Sequence, residues 1–543
     1  MAEQVRVGVV VIVYDDAALL PDAVRSALAQ GPAVTEVTIV DDASTDASAA
    51  VADRLAAEDP RVRVIRRSVN SGGCGTPRND GVDASRADWI VFLDSDDVLP
   101  PGAVSALVDA GVREGADVVA GRCVRRELPR VRDVQWQPDL FARPGVFDGL
   151  AGRPRTLWDT LSVNKAYRRA FLIEHDIRFP DGAAHYEDFV FTARVYAAGP
   201  RFVVITDDVY TWHVRRAAGD PSISLRRDRV RNWLDRLDAH RQVLEILDPV
   251  PELRLAAETK FVDHDLPLYL RDLHARTEAY RAEWWSSTRA HLAGFDPRAL
   301  ALARPAGRWA AAVVRAREEP VDLMRLSRLA ADPPRLTGPL RERDGVPVWD
   351  DRAPAVELDG LAAIPTAELP VEVRATVHAG RRSVLDVRVR DLYERLRPGR
   401  PHRIELELRD RHGEAVRVAG AGTGVLHEEP VDPDGGSWST TIGLDNTLLS
   451  TGEPFTVWDV WAVVHLRDGT HLETKVAAGA GLGRRVQPDL RHGLALAQFY
   501  ATASGSLAIR FAGGVGGVRE VLDARIRRRR TSPRGPATDP AQR

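Results

Sequence analysis

Short apolar runs that close on acidic residues set the pattern of the first part of the chain. Val7 to Val13 runs through branched residues into Tyr14, Asp15 and Asp16, and a helical spacing follows at Leu19, Leu20, Val24, Ala27 and Leu28. Glu36 to Val40 repeats the unit, ending in Asp41, Asp42, Ser44, Thr45 and Asp46 before a helix predicted over Ala47 to Ala57. Arg61 to Ile65 supplies a third strand. Trp89 to Leu93 is a fourth, and it leads without a break into Asp94, Ser95, Asp96 and Asp97. Runs of this length, rich in branched and aromatic residues, suit strands covered on both faces. Their alternation with helices predicts a parallel sheet joined by right-handed crossovers. Such sheets bind ligands outside the carboxyl ends of their strands, where the first, second and fourth runs place their acids.

From Arg229 the pattern turns helical, with Val230, Trp233, Leu234, Leu237, Val243, Leu244 and Leu247 on one face, and helical signals continue past Trp284 and Trp285 to Leu329. The tryptophans suit a core; a sugar groove is the alternative. Pro333-Pro334 and the charged stretch to Asp344 mark a boundary. Beyond it the period changes to two: Val371, Val373, Ala375 and Val377, then Leu385, Val387 and Val389, then Ile404, Leu406 and Leu408. Phe455 to Leu466 turns through Asp468-Gly469 into another strand near Val476. Repeated two-residue alternation with turn signals describes a β-sandwich. The expected divisions are an α/β domain over 1–228, a helical connector over 229–340, a β-sandwich over 341–515 and a basic, disordered tail over 516–543.

Composition narrows the class without naming it. The 543 residues include 28% charged and 44% hydrophobic ones, ordinary for a globular protein, and the formal net charge of −3 gives no global reason to expect a nucleic-acid partner. Two cysteines, Cys74 and Cys123, could pair only once and nothing requires it. With no signal sequence or membrane-spanning stretch, a cytoplasmic protein is expected. The run Arg525 to Arg530 suits docking on anionic lipid at the inner face of the membrane, or on an acidic polymer; a solvated tail is the alternative.

Asp94, Asp96 and Asp97 repel one another unless solvated, hydrogen-bonded or neutralised, and a Mg²⁺ or Mn²⁺ ion takes one or two carboxylates and completes its shell with phosphates. The alternative is an acidic turn or helix cap. Capping is likewise the alternative for Asp42, Ser44 and Thr45. Asn70 to Asn79 reads as a glycine-rich loop that lets backbone approach a ligand, with Arg78 offering planar donors to a base or phosphate. It lacks the Gly-Lys-Ser/Thr ending of a phosphate-cradling P-loop.

With Val11 to Tyr14, Ile39 to Asp46, Asn70 to Gly73, Arg78 to Gly81 and Phe92 to Asp97 assembled in this order and spacing, the first hundred residues resemble the family 2 inverting glycosyltransferases of the GT-A (Rossmann-like) fold. The resemblance implies a nucleotide-diphosphate sugar donor, with a bias to uridine. It places Tyr14, Asp42 and Arg78 at the nucleotide, and Asp94 and Asp96 at the diphosphate through the metal. Asp97 would orient its neighbours or cap a helix.

An acceptor half should follow. His185 to Phe191 opens a helix continuing to Tyr196 and carries Glu187 and Asp188. An inverting transfer needs a base for the acceptor hydroxyl, and a carboxylate can serve. The family pattern assigns that role to Asp188 and sugar or acceptor binding to Glu187; attraction to the positive helix end is the alternative. Tyr210 to Arg215 and Ser222 to Ser224 resemble the family's strand and loop that close over the diphosphate. There His213 would be a further metal ligand, with a structural hydrogen bond as its alternative, and Arg215 would neutralise the leaving group. The β-sandwich resembles, in placement, the accessory domains of wall teichoic acid poly(ribitol-phosphate) glycosyltransferases, which assist polymer binding and oligomerisation. The expectation is a metal-dependent transfer to a hydroxyl of a cell-envelope polymer or glycan. Competing readings are a silent carbohydrate-binding scaffold, disfavoured by intact Asp94, Asp96 and Asp188, and a nucleotidyltransferase, disfavoured by the Glu-Asp pair.

Overall fold

A computed structural model describes residues 5–128, 132–183, 185–215, 227–378, 383–411, 417–432, 435–444, 446–450, 455–489 and 493–514. The expected loop at Ser222 to Ser224 and the basic run at Arg525 to Arg530 lie outside these residues. The chain divides into two compact units, one of residues 1–265 and 277–303, the other of residues 266–276 and 304–543. The helices expected between 229 and 340 are thus shared between the two. Among the described residues no helix is long and apolar enough to cross a membrane.

The first unit is built on one mixed sheet. β1 (Val7–Val13), β2 (Val34–Asp41), β3 (Val62–Arg66) and β4 (Trp89–Asp94) pair in parallel in the order β3-β2-β1-β4, the arrangement the apolar runs predict. All seven residues of β1 are buried, since helices α1 (Leu20–Leu28), α2 (Ser48–Glu58), α3 (Gly75–Ala84) and α4 (Ala103–Glu114) supply the layers of an α/β plan. The glycine-rich stretch is not loop throughout: from Gly75 it is helix α3. Pro77 is tolerated in the first turn, where its missing N–H costs no helical bond. Gly81 lets α3 lie directly on β1; an added Cβ there would sit 3.1 Å from Cβ of Val10.

Past β4 the sheet stops being parallel. β5 (Val118–Leu128), β6 (Arg132–Gln135) and β7 (Gly145–Asp148) precede β8 (Lys165–Arg168), which runs antiparallel between β4 and β5. β8 is hard to see in sequence because it is short and opens on Lys165, fully buried here with Nζ 2.6 Å from Asp159 Oδ2. After α5 (Arg169–Glu174) and α6 (Glu187–Ala197), β9 (Arg201–Arg215) runs parallel to β5 and carries its last residues back to the end of β4.

Helices α7 (Val230–Ile246) and α8 (Pro251–Lys260), with Glu278–Ala293, complete this unit. Trp233, Trp284 and Trp285 are fully buried; Trp233 stacks on Trp284 and donates to Thr288 Oγ1 at 2.9 Å. They form core rather than a sugar groove. α7 also fixes the start of α6: Asn232 Oδ1 accepts from Tyr186 at 3.0 Å, and Arg236 lies 4.8 Å from the Tyr186 ring.

The second unit holds the expected β-sandwich. A five-stranded sheet includes the strands Glu372–His378, Ser383–Asp391 and Gly435–Leu444; a seven-stranded one includes Pro401–Asp410, Arg417–Val425, Phe455–Leu466 and His471–Lys475. Val373, Ala375 and Val377 of one, with Ile404, Leu406 and Leu408 of the other, are buried as their alternation predicts. The sheets touch where Gly422 faces Ile442, a spot with no room for a side chain.

Candidate active site

The carboxyl end of β4 carries the site, and it is read best outward from Arg78. This side chain, with 3% of its surface exposed, is held by α3 beneath the ends of β1 and β4. One guanidinium nitrogen pairs with Asp94 Oδ1 at 2.8 Å; the other pairs with Asp188 Oδ1 at 2.9 Å and Glu187 Oε1 at 3.2 Å. A planar cation thus bridges the acidic end of β4 and the acidic start of α6. Burial raises the Glu187 carboxyl to about 7, with the neighbouring Asp188 charge adding to the rise and Arg78 opposing it. Burial also raises Asp188, against Arg78 and a hydrogen bond from Ser162.

Next to this bridge is a cavity of about 350 Å³, bordered by Tyr14, Asp42, Asn70, Cys74, Asp94 and Asp96. Tyr14 is 51% exposed and stands at its edge, free to present a ring face. Asp42 is buried, and its oxygens accept from the Ser71 N–H at 3.0 and 3.1 Å and from the Ser71 hydroxyl at 2.7 Å, with Arg67 at 3.0 Å. Helix capping does not explain this side of the site. Ser44 accepts from the Asp15 N–H, Thr45 donates to Asp15, and only Asp46 reaches the first turn of α2, through the Ser48 N–H at 2.8 Å. A wider groove of about 630 Å³ opens on the far side of Ser71, between Arg67 and Arg178.

The remaining acids are held by β9. Asp97 is buried and accepts from the Tyr210 hydroxyl and the His213 N–H, each at 2.7 Å, so it orients neighbours rather than facing a ligand. Asp96 pairs with Arg215 at 3.1 Å. Burial, then the Asp94 charge, raises Asp96 to about 6. His213 Nδ1 sits 3.1 Å from the Asp96 carbonyl oxygen, which fixes Nδ1 as the donor and leaves Nε2 with its lone pair. Burial lowers the His213 pKa, which favours the neutral ring. Asp94 and Asp96 suit a hard divalent cation: two carboxylates border one cavity, and burial together with the Asp94 charge holds Asp96 toward its neutral form. Among the described residues no three His, Cys, Asp or Glu side chains converge on a common point, so His213 is near this pair but not gathered with it.

All nine site residues singled out in the sequence fall within this one region. What sequence reading missed is their supports: Ser162 under Asp188, Tyr210 under Asp97, Ser71 on Asp42, and Asp16, which accepts from Ser95 at 2.8 Å. Ser162 has no motif around it; Ser71, Tyr210 and Asp16 lie in stretches the sequence marks, but their partners are set only by the fold. Cys74 and Cys123 are both free.

A parallel α/β half ending in an acidic β4, followed by an acid-tipped helix α6, is a Rossmann-like plan of the GT-A type. Residues 8–176 match the family model described as Glycosyl transferase family 2. The chain is 33% identical over 232 residues to the succinoglycan biosynthesis protein ExoO of Rhizobium meliloti (strain 1021), covering 41% of this chain and 64% of that protein. It is 28% identical over 226 residues to the poly(ribitol-phosphate) beta-glucosyltransferase of Bacillus spizizenii, covering 40% of this chain and 34% of that protein. The matches therefore span less than two thirds of these relatives' lengths. Among solved structures, S. aureus TarS matches with a TM-score of 0.52 at 17% identity over 94% of this chain and 85% of that one. TarS 1-349 in complex with UDP-GlcNAc matches with a TM-score of 0.53 at 19% identity over 65% of this chain and 99% of that one. At these identities the likeness is one of fold.

Proposed function

We propose that this chain transfers a sugar, with inversion, from a uridine diphosphate sugar to a hydroxyl of a cell-envelope polymer or glycan. The observation that carries this reading is the Arg78 bridge, which sets Asp94 at the donor cavity and Asp188 on α6 within reach of a single guanidinium. Asp188 takes the proton of the acceptor hydroxyl as its oxygen bonds to the anomeric carbon. The bond from that carbon to the diphosphate breaks, and the electron pair leaves with the diphosphate. Glu187 hydrogen-bonds the transferred sugar or the acceptor. Tyr14 and Asp42 receive the nucleotide, with Arg78 behind them.

Asp94 and Asp96 are the residues that would hold Mn²⁺ or Mg²⁺, with His213 the further ligand that the family pattern suggests, and the ion would offset charge on the leaving diphosphate. Arg215, already paired to Asp96, supplies positive charge at the same end. The uridine donor and polymer acceptor are supported by relatives that are named poly(ribitol-phosphate) glycosyltransferases and by the TarS fragment in complex with UDP-GlcNAc.

Calorimetric titration of the protein with a panel of nucleotide sugars, with Mn²⁺ or Mg²⁺ and then with EDTA, tests the donor half. Binding of one UDP-sugar that EDTA abolishes is expected; no binding to any donor would favour a silent scaffold. Asp188→Asn tests the acceptor half: transfer should be lost while donor affinity stays within about twofold, as expected when a group acting only in the transition state is removed. Transfer near the wild-type rate would remove Asp188 as the base.

A further inference from the structure

The segment between Asp159 and Lys165 is built for a purpose that no motif announces. Asp159, 1% exposed, accepts from Lys165 Nζ at 2.6 Å, Trp136 Nε1 at 3.1 Å and Asn164 Nδ2 at 3.2 Å. Its carbonyl accepts from the Tyr196 hydroxyl at 2.9 Å. Lys165 Nζ also donates to the Leu161 carbonyl at 2.5 Å, and Asn164 Nδ2 to the Gly121 carbonyl at 3.0 Å. The Ser162 carbonyl accepts from the Tyr167 hydroxyl at 2.9 Å. An ammonium and a carboxylate this deeply buried are costly to desolvate, so a stretch held by them has few alternative conformations.

What the stretch presents is Ser162. Its side chain is fully buried, and its hydroxyl donates to Asp188 Oδ1 at 2.7 Å. Arg78 reaches that same Oδ1 at 2.9 Å. Among the described residues nothing donates to Asp188 Oδ2, and 19% of the side chain is open to solvent.

We propose that Ser162 is a positioning residue: with Arg78 it ties Oδ1 of Asp188, fixes the carboxylate plane and leaves Oδ2 to take the acceptor proton. The rigid segment around Asp159 and Lys165 holds the Ser162 hydroxyl at that point. The inference rests on the reading of Asp188 as the base. In the step itself the acceptor O–H breaks, its proton passes to Oδ2, and its oxygen pair forms the new bond to the anomeric carbon. Misalignment of Oδ2 slows this step without altering how the nucleotide is bound.

The test compares Ser162→Ala, Ser162→Thr and Asp188→Asn in the full chain. The ¹³C signal of the Asp188 carboxyl, assigned as the one lost in Asp188→Asn, is followed against pH without any substrate. Loss of a hydrogen bond to the charged form should move its titration up by about one pH unit in Ser162→Ala. Ser162→Thr, which keeps the hydroxyl, should restore it. UDP affinity by calorimetry should be the same in wild type and Ser162→Ala. Turnover of a UDP-sugar that the wild type uses should fall about tenfold in kcat with KM for the donor unchanged. A titration identical in wild type and Ser162→Ala overturns the proposal. So does a fall in thermal stability with kcat and titration intact, which would leave Ser162 a packing residue. Wild-type turnover in Asp188→Asn would instead sink the assignment of the base, a separate outcome.

Discussion

Arg78→Met removes the one cation that three carboxylates share and keeps the length of the side chain. The guanidinium is 3% exposed and stands 2.8 to 3.2 Å from Asp94, Asp188 and Glu187. Breaking a buried ion pair from one side costs about 3–5 kcal/mol, because it strands an uncompensated charge. The site can limit that cost by binding protons. Glu187 is already raised to about 7 with Arg78 present, and without it both Glu187 and Asp188 move further up. A carboxyl whose folded pKa lies above its unfolded value binds more protons in the native state across that window, so stability falls as pH rises through it. Each extra native-state proton makes the variant's deficit steeper by about 1.4 kcal/mol per pH unit. The expected result is a loss of about 3–5 kcal/mol at pH 8, shrinking by roughly 2–3 kcal/mol at pH 6 if one extra proton is taken up. Urea unfolding of wild type and variant at both pH values, followed by tryptophan fluorescence, measures the difference directly. A deficit under about 1 kcal/mol at pH 8, or one that does not change with pH, would falsify the picture of Arg78 as the charge that holds these acids together.

Three further expectations test other parts of the molecule. Asp96→Ala should weaken metal-dependent UDP binding at least tenfold on the scale of one lost ionic ligand, and calorimetry with Mn²⁺ giving unchanged affinity would move the metal elsewhere. Gly81→Ala places a Cβ 2.9 Å from Val10 Cγ2 and 3.1 Å from its Cβ, where α3 lies on β1. Such overpacking should cost about 1–3 kcal/mol, and a melting temperature equal to wild type would show that the contact can relax freely. His240 Nε2 faces the Ala257 carbonyl oxygen at 3.2 Å and its Nδ1 faces His291 Nε2 at 2.9 Å, contacts that a neutral His240 satisfies by donating from Nε2 and accepting at Nδ1. Burial lowers His240 to about 4 and His291 to about 3. Their stabilisation is therefore fully present above the ordinary histidine value and lost as pH falls from about 6.5 toward about 4, by roughly 3 kcal/mol for His240. His240→Gln can keep both hydrogen bonds without titrating, so its stability should change less between pH 7 and 5; an equal slope would contradict the assignment.

Much of this protein follows from local pattern. Val7 to Val13 and Trp89 to Leu93 had to be covered strands, because apolar residues on both sides of a strand leave no face for water. The acids at their ends follow from chain order alone. The alternation at Val373, Ala375 and Val377 likewise determined which face would be buried before any partner sheet was known. Only the tertiary structure decided that Asn70 to Ala84 would be part loop and part helix, since Gly75, Pro77 and Gly81 are poor helix formers and packing on Val10 overrides them. The antiparallel insertion of Lys165–Arg168 was equally hidden, a four-residue strand opened by a lysine whose partner is Asp159.

The same division runs through the site. Glu187 and Asp188 were legible as an acidic pair, but Arg78 stands 109 and 110 positions from them, and Ser162 stands 26 positions from Asp188. A helix or strand repeats at short intervals and so marks its own sequence. A guanidinium shared by three carboxylates, or one hydroxyl aimed at one oxygen, exists only when the chain has closed on itself.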